Sequence, residues 1–147
     1  MMARVSRTGD GLLYAVIAVT VWLAEIPHAK AFCLALILAF AIERPFYFLL
    51  KNSLKRNRPE QVMPGVKAVV VPADQFSFPS GHTSAAFCFA TIAGMLLAGP
   101  HNPFFLWAAA IGVSRIMLAV HFPCDVMAGA IIGSTIAAIS VGLVSSL

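Results

Sequence analysis

The sequence predicts an all-α membrane protein, a polytopic bundle of about five transmembrane helices. Hydrophobic residues make up 60% of the 147 residues and charged residues only 11%, whereas soluble domains average about 45–50% and about 25%. The apolar residues form continuous runs, and a membrane β-barrel would instead need alternating strands of about 10 residues. At about 20 residues per crossing the chain holds at most about seven spans, so we expect a single integral-membrane domain over residues 1–147.

Hydropathy divides the chain into five apolar segments, each of which we expect to form a helix. They are Gly11–Ile26, Ala31–Leu50, Gly81–Ala98, Phe104–Val120 and Cys124–Leu147. Proline and glycine mark their ends, because proline cannot continue a helix and both residues favour turns. These markers are Pro27, the turn containing Gly99-Pro100 and Asn102-Pro103, and Phe122-Pro123.

One long connection, from Lys51 to Pro79, separates the second and third segments. A loop of this length in so small a protein usually has a function. Segments two to five alternate in direction, so the two ends of this connection reach the same membrane face as the connection between segments four and five. Reactive side chains collect on that face: Lys51, Arg58, Ser80, Gly81, His82, Arg115, His121 and Asp125. The opposite face carries His28, Lys30, His101 and Asn102.

Three of these residues indicate an anion site. Lys51, Arg58 and Arg115 have no carboxylate neighbour in sequence, and arginine binds phosphoryl oxygens in a bidentate manner. The Ser80-Gly81 turn begins a helix whose free N–H groups suit the same oxygens, and glycine allows close approach. Taken singly, a helix cap or a basic loop is more often structural or a contact to lipid headgroups. The combination favours phosphate recognition.

Two histidines add catalytic chemistry to the anion site. His121 and Asp125 are four residues apart, so on a helix the carboxylate can orient the imidazole. An oriented histidine is a nucleophile toward phosphorus, and His82 on the same face can protonate the leaving oxygen. A lone histidine near a helix end is more often structural. Two histidines, an aspartate and three cations on one face of a membrane protein instead indicate a functional site.

A metal site is the alternative use of these side chains. Two histidines and an aspartate can form a facial triad around a metal ion. However, Lys51, Arg58 and Arg115 would repel a divalent cation, whereas an anion gains from all three. We therefore expect no metal and no cofactor.

The pattern resembles the three-part signature of the type 2 phosphatidic acid phosphatase superfamily, which includes vanadium haloperoxidases and glucose 6-phosphatase. The parts occur in order: Lys51 with Arg58-Pro59, then Pro79-Ser80-Gly81-His82, then Ser114-Arg115 with His121 and Asp125. The resemblance implies that His121 is a nucleophile forming a phosphohistidine, that Asp125 orients it, and that His82 is the general acid. It also implies a metal-free phosphate site made of Lys51, Arg58, Ser80, Gly81 and Arg115.

Membrane members of this family commonly have six spanning helices, and the first part of the signature follows the third. Here it follows the second apolar segment. We therefore expect the family fold without its first helix, with the two termini on opposite membrane faces.

The resemblance implies a metal-independent membrane phosphatase that removes the terminal phosphate of a lipid. Candidate substrates are phosphatidic acid, phosphatidylglycerophosphate and an isoprenyl phosphate or diphosphate. The alternatives are a lipid phosphotransferase with the same intermediate, and a non-catalytic lipid-phosphate binder or transporter. We expect lipid phosphate and the bilayer as partners and no nucleic acid, and the sequence leaves the oligomeric state open.

We expect a bacterial inner-membrane protein, but two arguments about its orientation conflict. Bacterial family members that act on envelope lipids usually face the periplasm. Basic residues without a predicted catalytic role nevertheless concentrate on the site face, where we expect Lys55 and Arg56 to contact headgroups. These residues are Arg4, Arg7, Lys55, Arg56 and Lys67, against Lys30 on the opposite face. The positive-inside rule therefore favours a cytoplasmic site.

Overall fold

Helices account for all the regular secondary structure in the residues described by the computed structural model, which are 1–72, 74–98 and 103–147. The helices are α1 (Met2–Arg7), α2 (Leu12–Leu23), α3 (Ala29–Leu54), α4 (Pro59–Val62), α5 (Gly81–Ala93), α6 (Phe104–Met117) and α7 (Pro123–Ser145). A π-helical turn, Gly94–Ala98, continues α5.

The predicted all-α bundle is confirmed, and each of the five apolar segments contains one helix. Helix α7 and the stretch that begins with α3 are both long and apolar enough to cross a membrane. Three shorter apolar helices, α2, α5 with its π turn, and α6, complete the set. The turn predicted before the fourth segment falls on residues 99–102, which lie outside the described residues.

Helix α3 is longer than the apolar segment predicts. It continues past Leu50 to Leu54, which places Lys51 in its last turn rather than in the loop. Polar side chains support this extra turn, because the Asn52 amide and the Ser53 hydroxyl donate to the carbonyls of the residues four positions earlier, at 2.9 and 2.7 Å. Hydropathy misses such a turn because it detects apolar residues and not helical hydrogen bonds.

The contact between α5 and α7 depends on two glycines. A Cβ atom at Gly133 would lie 2.1 Å from the carbonyl oxygen of Ser84, and one at Gly129 would lie 2.6 Å from that of Ser80. Small residues spaced by four let membrane helices approach closely. As a result the start of α7 meets the start of α5, where the Ser80 N–H donates to the Asp125 carbonyl at 3.0 Å. The close crossing therefore sets the distance between the second and third parts of the signature.

Candidate active site

The first part of the signature contains two buried cations, one in the last turn of α3 and one at the start of α4. The Lys51 and Arg58 side chains are only 4% and 3% exposed. Lys51 Nζ donates to the Phe76 carbonyl at 3.0 Å, and Arg58 Nη1 donates to the Val120 carbonyl at 2.6 Å. Both cations thus belong to the wall of the site and not to a solvated basic loop.

A carboxylate that the sequence did not single out pairs with both cations. Asp74 Oδ1 accepts hydrogen bonds from Lys51 Nζ at 2.7 Å and from Arg58 Nη2 at 2.6 Å, and Asp74 Oδ2 accepts one from the Tyr47 hydroxyl. Burial opposes ionisation of Asp74, but hydrogen bonds from Lys51 and Tyr47 and the two positive charges hold its pKa below the ordinary value. These cations have no carboxylate neighbour in sequence, but they have one in space.

Arg115, in the last turn of α6, has an unused hydrogen-bond donor. The residue is 6% exposed, and its Nη1 donates to the Ser6 hydroxyl at 2.7 Å. Its Nε is buried and has no hydrogen-bond partner within the described part of the chain. Leaving a charged N–H buried without an acceptor is costly, so this position suits an anionic oxygen. Ser6 lies on α1, a short helix that the sequence analysis did not predict.

His121 lies in the turn between α6 and α7, with its ring nearly fully buried. Its Nδ1 is 2.6 Å from the Ser77 carbonyl oxygen. Because a carbonyl oxygen only accepts, Nδ1 carries the proton and the lone pair of the neutral ring is on Nε2. Asp125 Oδ2 lies 3.8 Å from Nδ1, which is within ion-pair range but beyond a hydrogen bond. The Ser77 carbonyl therefore shares the orienting role that the sequence predicted for Asp125. A backbone carbonyl has no sequence signature, so this contact could not be predicted.

The surroundings of His121 keep its ring neutral. Burial and the charges of Arg115, Arg58 and Lys51 lower its pKa to about 4, although Asp125 opposes the shift. The ring is therefore uncharged at neutral pH, which is the state required of a nucleophile.

Asp125 lies in the first turn of α7, and its side chain is fully buried. Its Oδ2 accepts the Phe122 N–H at 2.8 Å, and its Oδ1 accepts a hydrogen bond from Arg56 Nη1 at 2.8 Å. The Arg56 guanidinium also lies 4.3 Å from the centroid of the Phe122 ring. Arg56 thus holds the carboxylate, a contact that the sequence analysis missed when it assigned Arg56 to lipid headgroups.

The second part of the signature begins α5. The Ser80 hydroxyl is buried and lies 2.9 Å from the Thr83 hydroxyl. A Cβ atom at Gly81 would lie 2.8 Å from the Tyr47 ring, so glycine is required here for close packing. His82 Nε2 lies 2.8 Å from Oδ1 of Asp10, a residue of the segment just before α2. The three parts of the signature therefore meet at one end of the bundle, together with the N-terminal segment.

Comparison with known proteins identifies the family. A sequence model described as the PAP2 superfamily matches residues 28–146, which include all three parts of the signature. The chain belongs to the PAP2 superfamily. The family resemblance read from the signature is confirmed.

Individual PAP2 relatives support the same assignment. Decaprenylphosphoryl-5-phosphoribose phosphatase of Mycobacterium tuberculosis is 36% identical over 62% of this chain and 49% of its own length. Phosphatidylglycerophosphatase B of Bacillus subtilis is 32% identical over 68% of this chain and 52% of its own. The chain thus spans about half the length of these curated relatives. The crystal structure of Aquifex aeolicus LpxE matches with a TM-score of 0.82 at 30% identity, over 96% of this chain and 83% of that chain.

An apolar cavity of about 1220 Å³ adjoins the site of this PAP2 protein, between α2 and α3. Asp10, Asp74 and His82 line its polar end, and Trp22 and Leu23 line the other. Helix α2 runs between these ends over 12 residues, so the cavity extends about 16 Å at the α-helical rise. It has room for a hydrocarbon chain whose polar end reaches His82.

The pKa of His121 predicts a pH dependence of stability. Because the folded pKa of about 4 lies below the unfolded value of about 6.5, the unfolded chain binds the proton first as the pH falls. The stability that neutral His121 contributes is therefore fully present above about pH 6.5, and it is lost as the pH falls toward about 4. We expect His121 to make the free energy of unfolding of the protein about 2 kcal/mol lower at pH 5 than at pH 7.

Thermal melting of the detergent-purified protein at pH 7 and pH 5 measures this effect. From pH 7 to pH 5, the melting temperature of His121→Gln should fall less than that of the wild type. His28→Gln, at an exposed position on the opposite end, should keep the wild-type loss. An unchanged loss in His121→Gln would contradict the assignment.

Proposed function

We propose that this PAP2 protein is a metal-independent membrane phosphatase that removes the terminal phosphate of a lipid through a phosphohistidine on His121. The observation that carries the proposal is a neutral, buried histidine beside buried cations. One of these cations, Arg115, has an N–H without a partner among the described residues. A binding protein would need the cations, but it would have no use for a histidine held in its nucleophilic tautomer.

In the first step, Nε2 of His121 attacks phosphorus while the bond from phosphorus to the lipid oxygen breaks. His82 gives its proton to that oxygen, which leaves as an alcohol. Lys51, Arg58 and Arg115 stabilise the charge on the other phosphoryl oxygens, with the Ser80 hydroxyl and the Gly81 N–H as further donors. The phosphorylated imidazole is cationic, and Asp125, 3.8 Å away, stabilises that charge.

In the second step, water attacks the phosphorus of phosphohistidine. His82, now neutral, accepts the proton of the water as the bond from phosphorus to nitrogen breaks. Inorganic phosphate leaves, and His121 returns to its neutral tautomer with Nδ1 bonded to Ser77. The same cations serve both steps, so the chemistry needs no metal.

The apolar cavity supports a substrate with a long hydrocarbon chain. It begins at His82, where the leaving oxygen would lie, and continues along α2. The M. tuberculosis and B. subtilis relatives are named for a decaprenyl and a glycerol lipid phosphate. We infer that phosphatidic acid, phosphatidylglycerophosphate or an isoprenyl phosphate or diphosphate occupies the site.

Release of inorganic phosphate from short-chain lipid phosphates in detergent tests this function. With EDTA present, the wild type should hydrolyse at least one of the three substrate types. His121→Ala should lower the rate by at least about 10³-fold, since it removes the attacking nitrogen, and His28→Ala should match the wild type. Activity that disappears in EDTA and returns with Mg²⁺ or Zn²⁺ would refute the metal-independent mechanism.

The role of His82 predicts a dependence on the leaving group. His82→Ala should slow hydrolysis of a lipid phosphate by about 10²-fold or more, because the alkoxide then departs without a proton. An aryl phosphate has a more acidic leaving group and should be affected much less. Equal losses on the two substrates would assign His82 to phosphate binding or structure instead.

We further propose a bacterial inner-membrane location with the site facing the cytoplasm. Arg4, Arg7, Lys55 and Lys67 support this orientation by the positive-inside rule, whereas Arg56 is now accounted for by Asp125. Single cysteines can replace the exposed Val71 and Leu147 in a cysteine-free background. On intact cells, an impermeant thiol reagent should label position 147 and not position 71, and the reverse pattern would place the site outside.

A further inference from the structure

The Asp74 carboxylate pairs with two cations that the proposed function assigns to the phosphoryl group. One oxygen, Oδ1, takes hydrogen bonds from Lys51 Nζ and Arg58 Nη2 at 2.7 and 2.6 Å. These distances are typical of charged donors bonded to either a carboxylate or a phosphate. The two cations assigned to the substrate are therefore already occupied by an anion of the protein itself.

Burial explains why an internal anion is needed. Lys51 and Arg58 are almost completely removed from solvent, and two buried charges without a partner are expensive. Asp74 supplies the partner while the site is empty. A lipid phosphate brings its own negative charge, and it cannot use the same N–H groups or lie beside the ionised carboxylate without strong repulsion.

The geometry lets the carboxylate leave without moving the backbone. The Asp74 side chain is 31% exposed and lines the polar end of the apolar cavity. The Asp74 carbonyl makes separate contacts to Arg58, at 3.3 Å from Nε and 3.1 Å from Nη2. Rotation of the side chain toward the cavity mouth would break its bonds to Lys51, Arg58 and the Tyr47 hydroxyl, while the carbonyl would still hold the guanidinium.

We propose that Asp74 is the resident anion of the phosphate site and that lipid phosphate binds by exchanging with its carboxylate. This inference rests on the proposed function for the identity of the incoming anion. The exchange makes Asp74 a specificity-determining residue. Free phosphate competes with the Asp74 carboxylate through its charge alone, whereas a lipid phosphate also gains from burying its chain in the cavity. After hydrolysis the returning carboxylate displaces inorganic phosphate.

Equilibrium binding of inorganic phosphate and of vanadate to the detergent-purified protein tests the exchange. Asp74→Asn keeps the shape of the side chain and removes the competing charge, so both anions should bind at least about tenfold more tightly. Glu60→Gln removes an exposed carboxylate from the same connection and should leave both affinities unchanged. Unchanged or weaker binding in Asp74→Asn would mean that Asp74 only positions the cations, which overturns the proposal.

A crystal structure of the wild type with vanadate provides a second test that needs no variant. Exchange requires Asp74 Oδ1 to lie more than about 3.5 Å from Lys51 Nζ and from Arg58 Nη2 when vanadate is bound beside His121. A carboxylate still bonded to both cations would overturn the proposal. Because both tests measure anion binding without turnover, a protein that exchanges Asp74 for phosphate but hydrolyses no lipid would refute the proposed function alone.

Discussion

Positive charge buried at one end of an apolar bundle is the constraint on which the rest of the site depends. Lys51, Arg58 and Arg115 are each almost fully buried, and a membrane protein tolerates such charges only when they are balanced. Two of them are balanced by Asp74, while the Arg115 Nε has no hydrogen-bond partner in residues 1–72, 74–98 and 103–147. The site is therefore suited to bind an anion, and this property fits the phosphoryl group of a substrate.

The same positive charge suits His121 to the nucleophilic role that we propose for it. Three neighbouring cations and burial keep its imidazole neutral, and the Ser77 carbonyl fixes its tautomer. Asp125 is held by Arg56 and by the Phe122 N–H, so it is placed to stabilise the charge that the imidazole would acquire in the proposed mechanism. In the mechanism that we propose, the arrangement favours the phosphorylated histidine over the protonated one, because a phosphoryl group brings negative charge to the cations and a proton does not.

The sequence predicted the helices and the collection of the signature side chains at one end of the bundle, because both depend on local patterns. Apolar runs identify membrane helices, and fixed spacings place Lys51, Arg58, His82 and His121. Contacts set by the path of the long connection were not predictable. Asp74 meets Lys51 only because the chain between α4 and α5 folds back over the end of α3, and Ser77 acts through a carbonyl that every residue possesses. Arg56 was missed for the same reason, since its partner lies 69 positions away.

We propose that His121 carries the phosphoryl group during turnover. The most direct measurement is to mix the wild-type protein with a lipid phosphate radiolabelled in its terminal phosphate, quench in alkaline denaturant, and locate the label by peptide mapping. We expect an acid-labile, base-stable label on the peptide that contains His121, and none in His121→Asn. A label on another residue, or its persistence in His121→Asn, would contradict this proposal.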